Sequence, residues 1–322
     1  MFSFAILVLC SHVGLTLGAT VTGALPDYVL KYAPLSRLHT SEKYFPADIA
    51  EHLKHVEPQV DRKAIASAVS FDTIGSLGSD VFLTSKDNVD KKTASWFYGV
   101  KPDSTGYTSS PGTIIAVPKA NGVVDAFYFY FYSYDHAEFL DIQVGDHVGD
   151  WEHTMVRFIN GQPDSIYLSA HSSGSAYKYS ALQSSNGRAV TYIAEGSHAN
   201  YATSGQHQHD IPLLFDYTND GLTWDMTKNF RGFWFDTASN TFTAALGAGV
   251  GASVQAAEGL SWLSFSGRWG DQEYPLFIKN GQYCILEHEC KYVSGPTGPI
   301  DKNLGRSVIC QKEADCTVDT NI

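Results

Sequence analysis

Residues 123–134 read VVDAFYFYFYSY, and Phe127, Phe129 and Phe131 alternate strictly with Tyr128, Tyr130 and Tyr132. A period of two sends the Phe rings to one face of a strand and the Tyr rings to the other. This segment is therefore expected as a central strand, with a dry Phe face and a Tyr face whose hydroxyls find partners. Shorter apolar or alternating runs at residues 80–83, 113–117, 151–159, 165–170, 189–194, 233–236, 259–265 and 276–279 also read as strands. Turn pairs separate several of them: Asn160-Gly161, Asn186-Gly187, Asp220-Gly221 and Asn280-Gly281. Helical periodicity is confined to residues 46–56, where Ile49, Leu53 and Val56 share one face. The pattern implies a mainly β fold, a β-sandwich with short peripheral helices.

The two ends of the chain read differently from this middle. Residues 1–18 contain no Lys, Arg, Asp or Glu, and an apolar run is followed by small residues at Gly14, Gly18 and Ala19. That is the pattern of a signal peptide, too short for a spanning helix, although its start lacks the usual basic residue. Once Cys10 leaves with it, the cysteines left are Cys284, Cys290, Cys310 and Cys316, all in the last forty residues. An even set in an oxidising compartment reads as two disulfides. Local pairing, Cys284 with Cys290 and Cys310 with Cys316, is the first choice of three connectivities. The expected organisation is a signal peptide at 1–19, a β-sandwich with a metal-binding rim at 20–280 and a disulfide-stapled tail at 281–322. The expected location is extracellular, with the vacuole or secretory pathway as the alternative.

Composition narrows the partners. A formal charge of −12 disfavours nucleic acid, which needs a basic face, and simple adhesion to anionic lipid. Cations suit it better. In the run GDHVGDWEH at 145–153, His147, Asp150 and Glu152 lie within six residues, just after the aromatic strand ends at Asp135. Alternation back from Thr154, Val156 and Phe158 places Asp150 and Glu152 side by side on one face and sends His153 to the other. Two adjacent carboxylates resist ionising together unless a positive charge sits between them. An acidic, oxygen-rich set with one imidazole suits Ca²⁺ or Mg²⁺ better than Mn²⁺ or Zn²⁺. The alternative is that these carboxylates cap turns or pair with Arg157 or Arg188. Downstream, His171 and His198 end two strands and could reach the carboxylates at a common rim. His207 and His209 could share a face and bind metal, but they read first as solvated loop histidines. Asp216 to Gly221 has Thr227 where a calcium loop needs its closing Glu, so it is not read as one.

Several motifs in order carry a resemblance: YAP at 32–34, YFPADI at 44–49, GDHVGDWEH at 145–153, YLSAH at 167–171, GSHANYA at 196–202 and SGRWGD at 266–271. Together they resemble the vacuolar protein sorting-associated protein 62 family of fungi, over most of residues 28–275. More distantly, the core is similar to the necrosis- and ethylene-inducing peptide-like proteins, secreted cytolysins whose heptapeptide GHRHDWE aligns with residues 146–152. That resemblance implies a β-sandwich whose divalent cation is held by Asp135, His147, Asp150, Glu152 and His198 and presented to a glycolipid sugar headgroup. Two positions depart from the heptapeptide, Asp146 for its Gly and Gly149 for its second His. The cradle carries over; lytic activity does not follow.

Three functions remain open. One is a cation-dependent protein, toxin-like in character, that engages a glycan or glycolipid headgroup with rim aromatics such as Trp224 and Trp234 and touches the membrane only peripherally. Another is a metal-dependent hydrolase of polysaccharide or phosphoester, with His171 or His198 as catalytic base. No nucleophile motif supports it. The last is a vacuolar or secretory sorting factor with a structural cation.

Overall fold

The computed structural model describes residues 23–139, 142–209, 214–245, 259–276, 281–286, 289–314 and 316–322. The expected leader, residues 277–279 of the last expected strand and Asn280 of the last turn pair lie outside them.

The aromatic strand, Val123–Asp135, is the spine of an eight-stranded mixed sheet. It pairs antiparallel with Gly112–Pro118 on one side and with His147–Ile159 on the other. Beyond the second of these come Gln162–Ala170, Ser173–Lys178 and Val318–Asp319; beyond the first come Phe230–Asp236 and Thr241–Ala244. The Asn160-Gly161 hairpin turns between two of these strands with φ of 50° and 77°. Both residues must be left-handed in such a turn, which Asn and Gly tolerate best.

Both faces of the spine are covered, as its alternation requires. Tyr128, Tyr130 and Tyr132 pack under a smaller sheet of Ser184–Ser185, Arg188–Ile193, Leu35–Arg37 and Thr223–Trp224, joined at one side by Asn200–Tyr201. Phe127, Phe129 and Phe131 face a second core built from the helix Ile49–His55, the strands around Val56 and Leu83, and Trp262 and Trp269. Two of the Tyr hydroxyls are placed as their burial demands, Tyr128 donating to Val29 O at 2.6 Å and Tyr130 to Thr154 Oγ1 at 3.0 Å, whereas the buried Tyr132 hydroxyl finds no partner among the described residues. The fold is mainly β with few short helices, and its disulfides join Cys284 to Cys290 and Cys310 to Cys316.

Two expectations are corrected. Residues 259–265 do not form a strand. Ser261–Ser264 makes a 3₁₀ turn, because the adjacent Trp262 and Leu263 are both fully buried, which period-two alternation against one core cannot achieve. Trp224 and Trp234 are not rim aromatics but core, 2% and 7% exposed. Trp224 packs on Tyr130, and Trp234 spends its indole N–H on Gly23 O at 3.1 Å.

Candidate metal centre

The aromatic strand ends at Asp135, directly across from His147 at the start of the neighbouring strand; two pairs along, Tyr132 faces Asp150. This register gathers donors from two strands at one sheet end. One donor atom each from Asp135, His147 and Asp150 lies within 4.8 Å of the others. All three line a cleft of about 440 Å³ whose walls also include Glu152, His171, Ser197, His209 and Lys302.

Asp135 is the least satisfied of them. It is 6% exposed, and among the described residues its one polar side-chain contact is His147 Nδ1 at 3.5 Å. Burial, with the charge of Asp150 added, pushes its carboxyl well above the usual range. Asp150 is the reverse. Burial works against its charge too, but His147 and His198 outweigh it and hold the carboxyl well below the usual range. His147 Nδ1 donates to Gly145 O at 2.9 Å, which leaves Nε2 turned to Asp150 Oδ1 at 3.8 Å. A backbone carbonyl fixing one nitrogen so that the other is free is the usual support of a ligating histidine. Burial opposes charging this ring, yet Asp135 and Asp150 push it up to about 9.

His198 is fully buried and both of its ring nitrogens are taken, Nδ1 by Asp150 Oδ2 at 3.0 Å and Nε2 by Tyr44 O at 3.0 Å. The ring stacks on Tyr132 with centroids 3.6 Å apart. It therefore backs Asp150 rather than facing the cleft. Glu152 shares its strand face with Asp150 but is turned to the next strand, where Ser169 Oγ donates to one oxygen and His171 N to the other at 3.2 Å. Burial and Asp150 raise its carboxyl above the usual range.

His153 points to the opposite face, as alternation requires, and accepts from the buried Arg306 at 3.1 Å. The two departures from the heptapeptide have structural causes. Gly149 has a φ of +67°, and a Cβ there would sit 2.3 Å from Trp269 O, so a histidine has no room. Asp146 is buried and binds Lys92 Nζ at 2.8 Å, Tyr134 OH at 2.8 Å and Ala137 N at 3.1 Å.

The sequence reading missed one grouping. His171, His209 and Asp216 also bring donor atoms within 4.8 Å of one another. His207, by contrast, stacks on Tyr201 and contacts Thr203 O and Thr218 through Nε2. The signal was available in His207 and His209 at a spacing of two, but nothing in the sequence tied His209 to Asp216. The C-terminal segment, expected as a loop-rich tail, forms part of the cleft wall through Val293, Ser294, Pro296 and Lys302. Its backbone bonds to the residues just before the strand His147–Ile159, Gly145 N to Cys290 O at 2.8 Å and Asp146 N to Lys291 O at 3.0 Å.

A family model described as vacuolar protein sorting-associated protein 62 matches residues 136–274, which contain all of these donors except Asp135. The Saccharomyces cerevisiae protein TDA6, named for vacuolar protein sorting, is 37% identical over 332 residues, covering 89% of this chain and 69% of the relative. The chain belongs to the Vps62 family. The vacuolar protein sorting-associated protein 62 of the same yeast is 33% identical over 329 residues, covering 90% of this chain and 68% of that relative. For the Vps62 chain, solved structures give weaker overlaps. Necrosis and Ethylene inducing Protein 2, from the agent of cocoa's Witches Broom disease, scores 0.31 in TM-score at 15% identity, covering 61% of this chain and 76% of that one. NLPPya in complex with glucosamine scores 0.28 at 12% identity, covering 69% and 81%. Scores at this level carry no weight for fold or ligand.

Proposed function

We propose that this Vps62 protein binds a divalent cation between Asp135, His147 and Asp150 and uses it to hold a glycan or glycolipid headgroup. The observation that carries the reading is Asp135: a buried carboxylate with one distant polar partner, set opposite a second buried carboxylate. Such a pair is costly unless a cation joins it. The donor set, two carboxylates and one oriented imidazole with Glu152 nearby, fits Ca²⁺ or Mg²⁺, with Mn²⁺ next. When bound, the ion supplies local positive charge for hydroxyl oxygens in a protein of net charge −12. His198 then serves to position Asp150.

The glycan half is supported by an adjoining recess of about 210 Å³, which shares Ala137, Ser197, His209 and Leu214 with the cleft. Phe215 and Tyr217 line it and are 40% and 51% exposed, so they offer flat apolar faces for sugar rings in place of the two buried tryptophans. The two disulfides and the naming of both yeast relatives for vacuolar sorting support a secretory route, with the vacuole as a possible address. No described helix is long and apolar enough to cross a membrane.

Thermal unfolding after EDTA treatment, followed by addition of Ca²⁺, Mg²⁺ or Mn²⁺, tests the first half. At a hundredfold excess over Kd, the ion stabilises the wild type by about 2.7 kcal/mol. Asp135→Asn loses that response. A glycan array read with and without the ion tests the second half. Identical melting of wild type in EDTA and in saturating Ca²⁺, Mg²⁺ and Mn²⁺ would sink the reading.

A hydrolase is the second reading, favoured by His171, which Asp216 holds on the same cleft wall at 2.6 Å. A turnover screen on polysaccharides and phosphodiesters, comparing wild type with Asp150→Ala, separates it from pure binding.

A further inference from the structure

The grouping of His171, His209 and Asp216 stands apart from the donors used above. His171 follows Gln162–Ala170, His209 follows the strand Gly205–Gln208, and Asp216 lies on Phe215–Thr218, which pairs with that strand. Three segments therefore converge on one carboxylate. Asp216 is 5% exposed and accepts three hydrogen bonds, from Ser197 Oγ to Oδ1, and from Tyr201 OH and His171 Nε2 to Oδ2, each at 2.6 Å. The rings of His171 and His209 lie against each other with centroids 3.7 Å apart. His171 holds a φ of +52°, a left-handed conformation that costs a non-glycine residue about 1 kcal/mol or more.

We propose that His171, His209 and Asp216 form a second cation site in this cleft, one that takes a zinc-class divalent ion (Zn²⁺ or Co²⁺) in preference to Ca²⁺ or Mg²⁺. Two imidazoles and one carboxylate are the donors of three-ligand zinc sites, which keep a further position open to the solvent side. Hard cations such as Ca²⁺ and Mg²⁺ want oxygen instead. Around a tetrahedral ion with bonds of about 2.1 Å, donors sit roughly 3.4 Å apart. The three atoms, all within 4.8 Å, need only small movements to reach this. His171 Nε2 and Asp216 Oδ2 open from 2.6 Å to admit the ion. The outer support is already present: Ser197 and Tyr201 orient the carboxylate, as conserved outer partners do at known metal sites. Glu152 joins this site to the other, because it accepts from His171 N at 3.2 Å and lies two residues beyond Asp150 on one strand. The cleft thus offers a hard site and a softer site on neighbouring walls.

Co²⁺ titration of the full chain, read by visible absorption and by metal content after dialysis, tests the site. In wild type a tetrahedral cobalt spectrum develops, and excess Ca²⁺ or Mg²⁺ leaves it in place. His209→Ala weakens Co²⁺ and Zn²⁺ at least about tenfold and leaves the Ca²⁺-induced change in melting untouched. Asp150→Asn does the opposite. The proposal is overturned if His209→Ala binds Co²⁺ and Zn²⁺ as wild type does, or if Asp150→Asn abolishes them, since the ion then sits with Asp135 and His147. It is overturned equally if no cobalt binds, which leaves His171 and Asp216 an ion pair only, while the first site stands or falls on its own Ca²⁺ response. If His209→Ala fails to fold, imidazole ¹⁵N shifts of wild type under Zn²⁺ decide. Shifts at His171 and His209 support the site, and shifts confined to His147 overturn it.

Discussion

Asp150 divides its two oxygens between protein and cleft. Oδ2 is bound to a histidine with no solvent exposure, and Oδ1 is left near His147 Nε2. Because the His198 ring gives N–H groups to both a carboxylate and the Tyr44 carbonyl, it is a buried cation, and removing its charge strands Asp150. Breaking a buried pair from one side costs about 3–5 kcal/mol. His198→Gln is therefore expected to lose stability on that scale in urea unfolding with EDTA present. It still binds a cation, with affinity reduced about 10–100-fold. A variant that keeps full affinity would show that Asp150 needs no backing. The sequence named Asp135, His147, Asp150, Glu152 and His198 from spacing and resemblance. Which nitrogen of which histidine meets them depends on carbonyls of Tyr44 and Gly145, and main-chain partners leave no trace in residue identity.

Strand crossings explain what the elements require. Gly149 sits inside the strand His147–Ile159 at φ +67°, and the backbone of Trp269 passes so close that an added Cβ would be 2.3 Å from its carbonyl oxygen. On the far side of the crossing, a Cβ on Gly270 would meet Val148 O at 1.8 Å. Gly149→Ala combines a left-handed penalty with a backbone clash, and a loss of about 2–4 kcal/mol is expected from urea midpoints. A loss below about 0.5 kcal/mol would show that the crossing yields easily. Trp269 O is also the partner of His52 Nε2, at 3.1 Å, while Nδ1 of that ring meets Ser133 Oγ at 3.2 Å. Burial pulls His52 down to about 3. Above pH about 6.5 the ring is neutral folded and unfolded, so it gives no pH dependence. As pH falls below that value the unfolded chain takes a proton that the native ring refuses, and stability drops by up to about 1.4 kcal/mol per pH unit. Between pH 7 and 4.5, wild type is expected to lose about 2 kcal/mol more than His52→Gln. Equal losses would mean that His52 charges in place. Strands and the helix at Ile49–His55 were legible because their periods are local. The 3₁₀ turn at Ser261–Ser264 was not, because Trp262 is buried by Trp151 and Trp269, partners distant in sequence.

At the scale of the molecule, the C-terminal segment forms one wall of the cleft beside Asp135, His147 and Asp150, and a buried charge ties it to the sheet. Arg306 has no exposure and, among the described residues, no carboxylate partner; its guanidinium donates to the carbonyls of Lys302, Asn303 and Ile309 and to His153 Nε2. It lies 4.8 Å from the Phe127 ring and 5.2 Å from that of Tyr167, so the Phe face of the spine supplies π-electron density to the cation. Burial lowers its pKa to about 10, which leaves it charged at neutral pH. Each disulfide closes only a short loop, worth about 2 kcal/mol through the unfolded chain. Arg306→Met keeps bulk but orphans three carbonyls and a histidine nitrogen, at about 1–3 kcal/mol for each group left dry. The methionine variant is therefore expected to release the segment. Limited proteolysis would cut beyond residue 291 while the sheet persists, and cation affinity would fall because Val293, Pro296 and Lys302 leave the cleft wall. The double variant Cys310→Ser, Cys316→Ser is expected to keep the segment docked, with a lower melting temperature only. If loss of that disulfide exposes the segment to protease and loss of Arg306 does not, the covalent link is the anchor and the buried guanidinium merely packs.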